Sequence, residues 1–380
     1  MTLGLLPALG SGMRELSAAG QATRLLEGYL RRYVAAFDRV CYFSYLEESL
    51  AEFTNDSPLL AGVEMFTPAR RMSRARRAVT MPWAHAAAFR GCDVLRVFQV
   101  TGVIPAILAN ACWGVPYVTT YGFWYGRLSR PGPKRVAKAA IERIGLRRAA
   151  AVIVTTEELR ARASALARRV ELIPNGVDTR LFAPAAGGVE AEGAQQRIVY
   201  VGRLSPEKNL STLVWAVAGL GRRVPVRLVL VGAGPLEAEL RAEARAAGID
   251  AEFQGVVDQR RLPAIYASAG AFVLASFTEG HPKVLLEAMS SGLACVASNC
   301  PGNRSLIVDG VTGLLFDPNR PDELAACLER VLTDPALATK LGQAARRAVT
   351  ERYDLAECVS REIALLRSVA GAVAPPGRSA

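Results

Sequence analysis

The 380-residue chain has only two histidines, His85 and His281, so a multi-histidine metal site is nearly excluded. Its seven cysteines are scattered, with neither CxxC nor Cys/His ligand spacing, and read as reduced cytosolic thiols. No Asp-x-Asp metal motif stands at a strand's end, and neither a metal nor a cofactor is expected. Met1–Leu9 lacks a basic start followed by an apolar run, so no secretion signal is expected and the location reads as cytoplasmic. One uncharged stretch, Val97–Tyr125, is long enough to weigh as a membrane span. Gln99, Thr101, Pro105, Asn110 and Pro116 break it into a strand, helix and strand, so a buried α/β core is the better reading. The glycine pair Gly232 and Gly234 lacks the third glycine of a dinucleotide fingerprint, because Glu237 stands there. NAD is therefore not inferred. Acid is scarce in one half only: residues 1–186 carry 25 Lys/Arg against 14 Asp/Glu, whereas the remainder carries 21 of each. The net charge of +11 thus lies in the N-terminal half and points that half toward an anionic partner.

Hydrophobic residues make up 51% of the chain, enough for a sizeable core, and the length suits two α/β domains. Strand Leu3–Leu9, the Gly10-Ser11-Gly12-Met13 turn and a helix over Glu15–Tyr33 open a doubly wound domain. Strands follow at Val40–Tyr45, Val94–Phe98, Tyr117–Thr120, Ala150–Thr155 and Val170–Ile173, with helices over Ile104–Cys112 and Lys134–Arg148 between them. Pro174–Asp178 is a turn, and Ala183–Gln196, rich in Ala, Gly and Glu without apolar period, reads as the linker. A second set of strands is expected at Ile198–Val201, Val226–Val231, Phe253–Val257 and Ala271–Ala275. Helices Asp322–Leu332, Leu337–Val349 and Leu355–Leu366 close the chain, and Val373–Ala380 is read as a frayed tail. The basic run Pro68–Arg77, with Met72 inside it and Met81 and Trp83 beyond, has two readings. It is a solvated helix face, or it rests on an anionic membrane surface. Nucleic acid is disfavoured, because no fold motif or aromatic platform accompanies the charge.

The chemistry concentrates in Ala275–Pro318. A strand breaks at Ser276-Phe277-Thr278, and a helix is expected from Pro282, a good first helical position because its missing N–H would be unpaired there. The free N–H groups of that turn and the helix dipole make an anion site. Glu279 and Glu287 bracket it, roughly 12 Å apart if all helical, too far to share a proton or a metal but able to grip two parts of one extended ligand. Lys283 sits where the dipole disfavours a cation, which a bound anion would correct; a solvated surface lysine is the competing reading. His281 either contacts that ligand or packs in the turn. Gly202 ends a strand where backbone can approach a ligand, and Arg203 and Lys208 flank the following turn, as ligand cations or as surface charges.

This stretch, EGHPKVLLE within EGHPKVLLEAMSSGLACVAS and followed by VDGVTGLLFDP, resembles the E-x7-E segment of family 4 glycosyltransferases. These are retaining, metal-independent enzymes of the GT-B fold, known also as glycosyl transferases group 1. The resemblance implies two facing Rossmann-like domains, with a C-terminal helix crossing back onto the first. It implies domains at residues 1–185 and 186–350, and residues 351–380 for the returning helix and tail. It places Glu279, with His281 beside it, by the donor sugar and Glu287 on the ribose hydroxyls. Gly202, Arg203, Lys208, Gly280, Lys283, Val284 and Leu285 would surround the diphosphate, and Val256 the base. Gly10, Gly12, Tyr121 and Gly122 are candidates for an acceptor or phosphate loop, with Trp124 and Tyr125 beside them. Gly122 stands where many members carry a sugar-contacting histidine, and Ser305 where many carry a glutamate.

The activity implied by the resemblance is hexosyl-type transfer from a nucleotide-diphospho-sugar to an acceptor hydroxyl with retention, in lipid-linked or cell-surface polysaccharide synthesis. The partners implied are the donor, a glycan or lipid-linked acceptor, and an anionic membrane face for peripheral attachment, with no nucleic acid. A nucleotide-sugar epimerase of related fold and a non-catalytic nucleotide-sugar-binding protein are the alternatives.

Overall fold

The computed structural model describes residues 1–69, 72–123, 132–184, 196–221 and 223–372. Two compact units are present, one of Met1–Pro174 with the segment from Cys358 onward, the other of Asn175–Glu357. The boundary falls at 174/175 rather than at 185/186, because Val177 bridges to Asp354 and Phe182 is fully buried in the second core. Most of the expected linker, 185–195, and the tail, 373–380, lie outside the described residues.

The first unit is a seven-stranded parallel sheet. Its strands are β1 (Thr2–Leu6), β2 (Arg39–Phe43), β3 (Val63–Phe66), β4 (Val94–Val97), β5 (Tyr117–Tyr121), β6 (Ala151–Val154) and β7 (Val170–Leu172), in the order β3-β2-β1-β4-β5-β6-β7. The second unit has six parallel strands: β8 (Gln196–Val201), β9 (Val226–Val231), β10 (Asp250–Gly255), β11 (Ala271–Leu274), β12 (Cys295–Ser298) and β13 (Leu314–Phe316). Their order is β10-β9-β8-β11-β12-β13. Helices join the strands. Central strands such as AVIV and AFVL are apolar throughout because both faces are covered. In each sheet the strand order reverses once, between β1 and β4 and between β8 and β11, and open α/β sheets bind ligands outside the carboxyl ends at such points.

Three expectations are corrected. The helix over Glu15–Tyr33 is divided: Met13–Ala18 ends at a turn with Gly20 at φ +68°, and Arg24–Leu30 then winds as a π-helix into Arg31–Ala36. Strand β3 was not anticipated, since it is only four residues long and follows the Ser57–Gly62 helix directly. The last helix spans Leu355–Ala372, longer than Leu355–Leu366.

That helix is fixed to the first unit by a buried ion pair. Arg96 on β4 donates from Nε to Glu362 Oε1 (2.7 Å) and from Nη2 to Oε2 (3.1 Å). The Tyr33 hydroxyl also donates to Glu362, and Arg96 reaches the Val97 carbonyl (2.6 Å) and Thr120 Oγ1 (2.8 Å). Both charges are almost fully enclosed, so every donor and acceptor has to be met. Arg361 to the Leu172 carbonyl (2.7 Å) and Arg169 to Ser368 (3.0 Å) extend the attachment. Glu362→Leu alone should destabilise the first unit by ~3–5 kcal/mol, by leaving Arg96 buried and unpaired. Arg96→Met with Glu362→Leu and Tyr33→Phe should recover most of that loss. Urea unfolding of the three proteins checks both.

Candidate functional site

The site is built at the β8/β11 reversal of the second unit. A Cβ at Gly232 would lie 2.0 Å from the Gly202 carbonyl oxygen, so the chain leaving β9 meets the chain leaving β8 backbone to backbone. Beyond Gly202, Pro206–Lys208 forms a 3-10 turn ending at Asn209, in the left-handed region at φ 54°. Asparagine tolerates that conformation, and here its side chain fixes it. Nδ2 donates to the Ala275 carbonyl (3.2 Å) and the Pro318 carbonyl (2.7 Å), and Oδ1 accepts from Thr212 (2.8 Å). Lys208 is thereby aimed across the reversal, and its Nζ lies 2.6 Å from Glu279 Oε1.

Glu279 is held from its own side as well. Ser276 Oγ donates to Oε1 (2.6 Å), Ser298 Oγ donates to the Ser276 carbonyl (2.5 Å), and Asn303 Nδ2 donates to the Ser298 carbonyl (2.9 Å). A Cβ at Gly302 would come within 2.5 Å of the Glu279 carbonyl group, so the short Pro301–Arg304 helix lies directly on the Glu279–Gly280 backbone. Arg203 is exposed and makes no ion pair among the described residues, so of the two expected cations only Lys208 is drawn to the carboxylate.

The helix runs over Lys283–Ser290, with Pro282 as its N-cap at ψ 116° rather than as its first helical residue. No side chain caps it, and its first turn carries the amides of Lys283, Val284 and Leu285. Leu285 is fully buried, whereas Lys283 and Val284 are half-buried. Glu287 is 1% exposed: its Oε1 accepts from Gln259 Nε2 (2.8 Å) and its Oε2 from the Tyr266 hydroxyl (3.4 Å). Gln259 lies just beyond β10 and joins the Val256 loop to Glu287; Val256 itself is exposed. His281 is buried with its ring against Tyr353, its carbonyl accepts from Asn175 (2.7 Å), and its Nδ1 has no partner among the described residues. Burial, with Lys283 nearby, drives its pKa down to about 3, so the ring is neutral at physiological pH.

The first-unit candidates are arranged differently. Gly10 adopts φ +78°, and Gly12 has no room for a Cβ, which would sit 2.3 Å from Glu48. The Met13 and Arg14 amides donate to the buried Glu48 carboxylate (2.8 and 2.9 Å). A phosphate at those amides would have to displace an internal carboxylate. Tyr121 is 1% exposed in the core, with its hydroxyl near Glu142, so it is no open pocket wall; Gly122 is half-buried beside Thr155. Trp124 and Tyr125 lie outside the described residues. Sequence reasoning missed Asn209, Gln259, Ser276 and Gly302. The only local signal was the asparagine closing the SPEKN turn; the others act through partners distant in the chain.

Folding has to hold His281 neutral, whereas the unfolded side chain titrates near 6.5. The unfolded state therefore binds more protons between those values. The stability that neutral His281 contributes is complete above about pH 6.5 and falls as the pH drops from there toward 3. Relative to His281→Phe, the wild type should lose ~2 kcal/mol of unfolding free energy between pH 7 and pH 5, as read by urea titration at each pH.

Residues 188–348 match the family described as glycosyl transferases group 1, and residues 40–181 match glycosyltransferase family 4. A GDP-mannose-dependent alpha-(1-6)-phosphatidylinositol monomannoside mannosyltransferase of Mycobacterium tuberculosis is 33% identical over 236 residues, covering 57% of this chain and 61% of that protein. The sulfoquinovosyl transferase SQD2 of Arabidopsis thaliana is 32% identical over 208 residues, covering 52% and 40%. The chain therefore spans about three fifths or less of the length of these two relatives. Among solved structures, sucrose-phosphate synthase from Thermosynechococcus elongatus superposes with a TM-score of 0.81 at 22% identity, covering 98% of this chain and all of that one. Anabaena HepE in complex with UDP and glucose superposes at 0.76 and 19%, covering 97% and 99%. With both halves of the chain matched and the same two-unit α/β architecture, this chain belongs to glycosyltransferase family 4 and has the GT-B fold.

Proposed function

We propose that the chain is an enzyme that moves a sugar from a nucleotide-diphospho-sugar to an acceptor hydroxyl, with retention of anomeric configuration. The observation that carries this reading is the Lys208–Glu279 pair across the β8/β11 reversal, beside a helix N-terminus that no side chain caps. Loss of the sugar leaves negative charge on the diphosphate. Lys208, Arg203 and the amides of Lys283, Val284 and Leu285 are the groups that would stabilise it without a metal. Glu279, held by Ser276 and Lys208, accepts hydrogen bonds from sugar hydroxyls. Glu287, held by Gln259, takes the ribose, and the Val256 loop joined to it holds the base. Neutral His281 serves as a hydrogen-bonding group and not as a charged acid. Among the described residues no second carboxylate is a close partner of Glu279, so the acceptor proton is assigned to a phosphate oxygen of the donor. The relatives support the substrate class: the mycobacterial one is GDP-mannose-dependent, and HepE was solved with UDP and glucose.

For the acceptor we propose a lipid-linked or cell-surface glycan, from the basic first half and from the phosphatidylinositol monomannoside in the mycobacterial relative's name. Among the described residues no helix is long and apolar enough to cross a membrane. The Arg74–Ala84 helix exposes Val79 and Trp83 alongside Arg74 and Arg76, with Met72 just before it, which suits contact with an anionic bilayer face. Arg70 and Arg71 lie outside the described residues.

A thermal-shift panel of UDP-, GDP- and ADP-linked sugars should show stabilisation by one nucleotide, ~2.7 kcal/mol at a hundredfold excess over Kd. Glu287→Ala should abolish it, and the absence of any shift would remove the donor assignment. With that donor, product anomericity read by NMR checks retention. Sedimentation with phosphatidylglycerol vesicles should fall in the Arg74→Gln/Arg76→Gln double variant; unchanged binding would count against the membrane face.

A further inference from the structure

Arg77 is the anomaly of the first unit. It is 4% exposed, yet among the described residues it has no carboxylate partner. Its one side-chain contact is Nη2 to His85 Nε2 (3.1 Å), and its Nε is buried without a partner. A buried guanidinium normally has its donors filled, because an isolated buried charge is costly. Tyr45 repeats the pattern: its hydroxyl is buried and unpartnered, and it lies close enough to interact electrostatically with Arg77. His85 is half-buried, with its ring against Phe66 (5.4 Å) and Phe43 (6.4 Å).

These groups gather at the sheet's ligand-binding edge. Tyr45 lies two residues beyond β2, and Phe66 ends β3. The Tyr45 amide donates to the Ser11 carbonyl (3.3 Å), so the cluster adjoins the Gly10–Gly12 loop beyond β1. Residues 65–92 contain no Asp or Glu, while Arg74 and Arg76 stand one turn or less from Arg77. Glu48, the nearby carboxylate, is already taken by Ser44, Met13 and Arg14. The cluster therefore offers a planar cationic fork and a hydroxyl donor with no internal anion to meet them, while His85, bonded to the Thr67 backbone through one ring nitrogen, accepts from Arg77 through the other and holds the guanidinium in place. A guanidinium fork matches phosphate oxygens two at a time, and the surplus of arginines suits a phosphate better than a single carboxylate.

We propose that Arg77 and Tyr45, with His85 positioning the guanidinium, form an oxyanion site in the first unit that binds a phosphate ester group. Assigning that group to the acceptor rests on the glycosyltransferase reading; the anion binding itself does not. The acceptor class is then a phosphate-bearing alcohol, carried either by a soluble phosphate ester or by a lipid headgroup.

Calorimetric titration of the full chain with inorganic phosphate and with glycerol phosphate should show binding that Arg77→Met weakens ~10- to 100-fold, the range for charge-assisted hydrogen bonds. Tyr45→Phe removes a hydroxyl that no protein group uses, so it should fold normally and weaken binding several-fold, which keeps the test decisive if Arg77→Met does not fold. Glycerol phosphate displacing the chain from phosphatidylglycerol vesicles, in an Arg77-dependent way, would assign the source to a lipid headgroup. Equal binding of the soluble ester without vesicle attachment would assign it to a soluble acceptor. Absence of phosphate binding, or binding unchanged in both variants, overturns the site. The nucleotide-sugar thermal shift, run on the same proteins, separates the two readings. A donor shift without phosphate binding defeats this inference alone, and phosphate binding without a donor shift leaves the anion site standing without its assignment to the acceptor.

Discussion

Every strand in both sheets is parallel, and that constraint orders the rest of the structure. A parallel pair cannot be closed by a tight hairpin, so each connection crosses a face and usually carries a helix. All carboxyl ends then lie on one edge of each sheet. Where the strand order reverses, between β8 and β11, neighbouring connections leave toward opposite faces and open a crevice. Residues 71 positions apart in the chain meet there as the Lys208–Glu279 pair. The cation, the carboxylate and the helix N-terminus are together because the topology leaves one place for them to converge.

The two units use buried charge differently. In the first, Arg96 and Glu362 are enclosed, with four hydrogen bonds from the guanidinium and the Tyr33 hydroxyl on the carboxylate, which makes them a structural clamp on the final helix. In the second, Lys208 and Glu279 retain 20% and 11% exposure, and Lys208 has the carboxylate for only one of its three donors. The clamp uses most of its bonding capacity; the candidate site keeps more in reserve. Arg77 belongs with the second kind, since it is more buried than Lys208 and meets no carboxylate among the described residues.

Glu287 and Glu279 show how one helix holds two carboxylates in different surroundings. Glu279 lies just before the helix, in a loop braced by Ser276, Ser298 and Gly302. Glu287 lies on its inner side, beneath Gln259 and Tyr266. The helix is thus a spacer that holds the carboxylates apart, with its N-terminus between them. His281 stays neutral because burial and Lys283 both disfavour its cation.

The alternation of strands and helices, the two-unit plan and the segment that carries the second unit's candidate site were legible in the amino-acid order, because apolar period, strand-end glycines and the EGHPKVLLE segment are local patterns. The basic excess of the first half was legible too, since charge can be counted without knowing the fold. Local patterns could not show that Glu48 fills the amides beyond Gly12, that Tyr121 turns into the core, or that Asn209, Gln259 and Gly302 position Lys208, Glu287 and Glu279. Nor could they single out Arg77 among its neighbouring arginines. Those facts depend on which side chains meet across strands distant in the chain, and whether a buried group finds its partner is settled by packing in three dimensions.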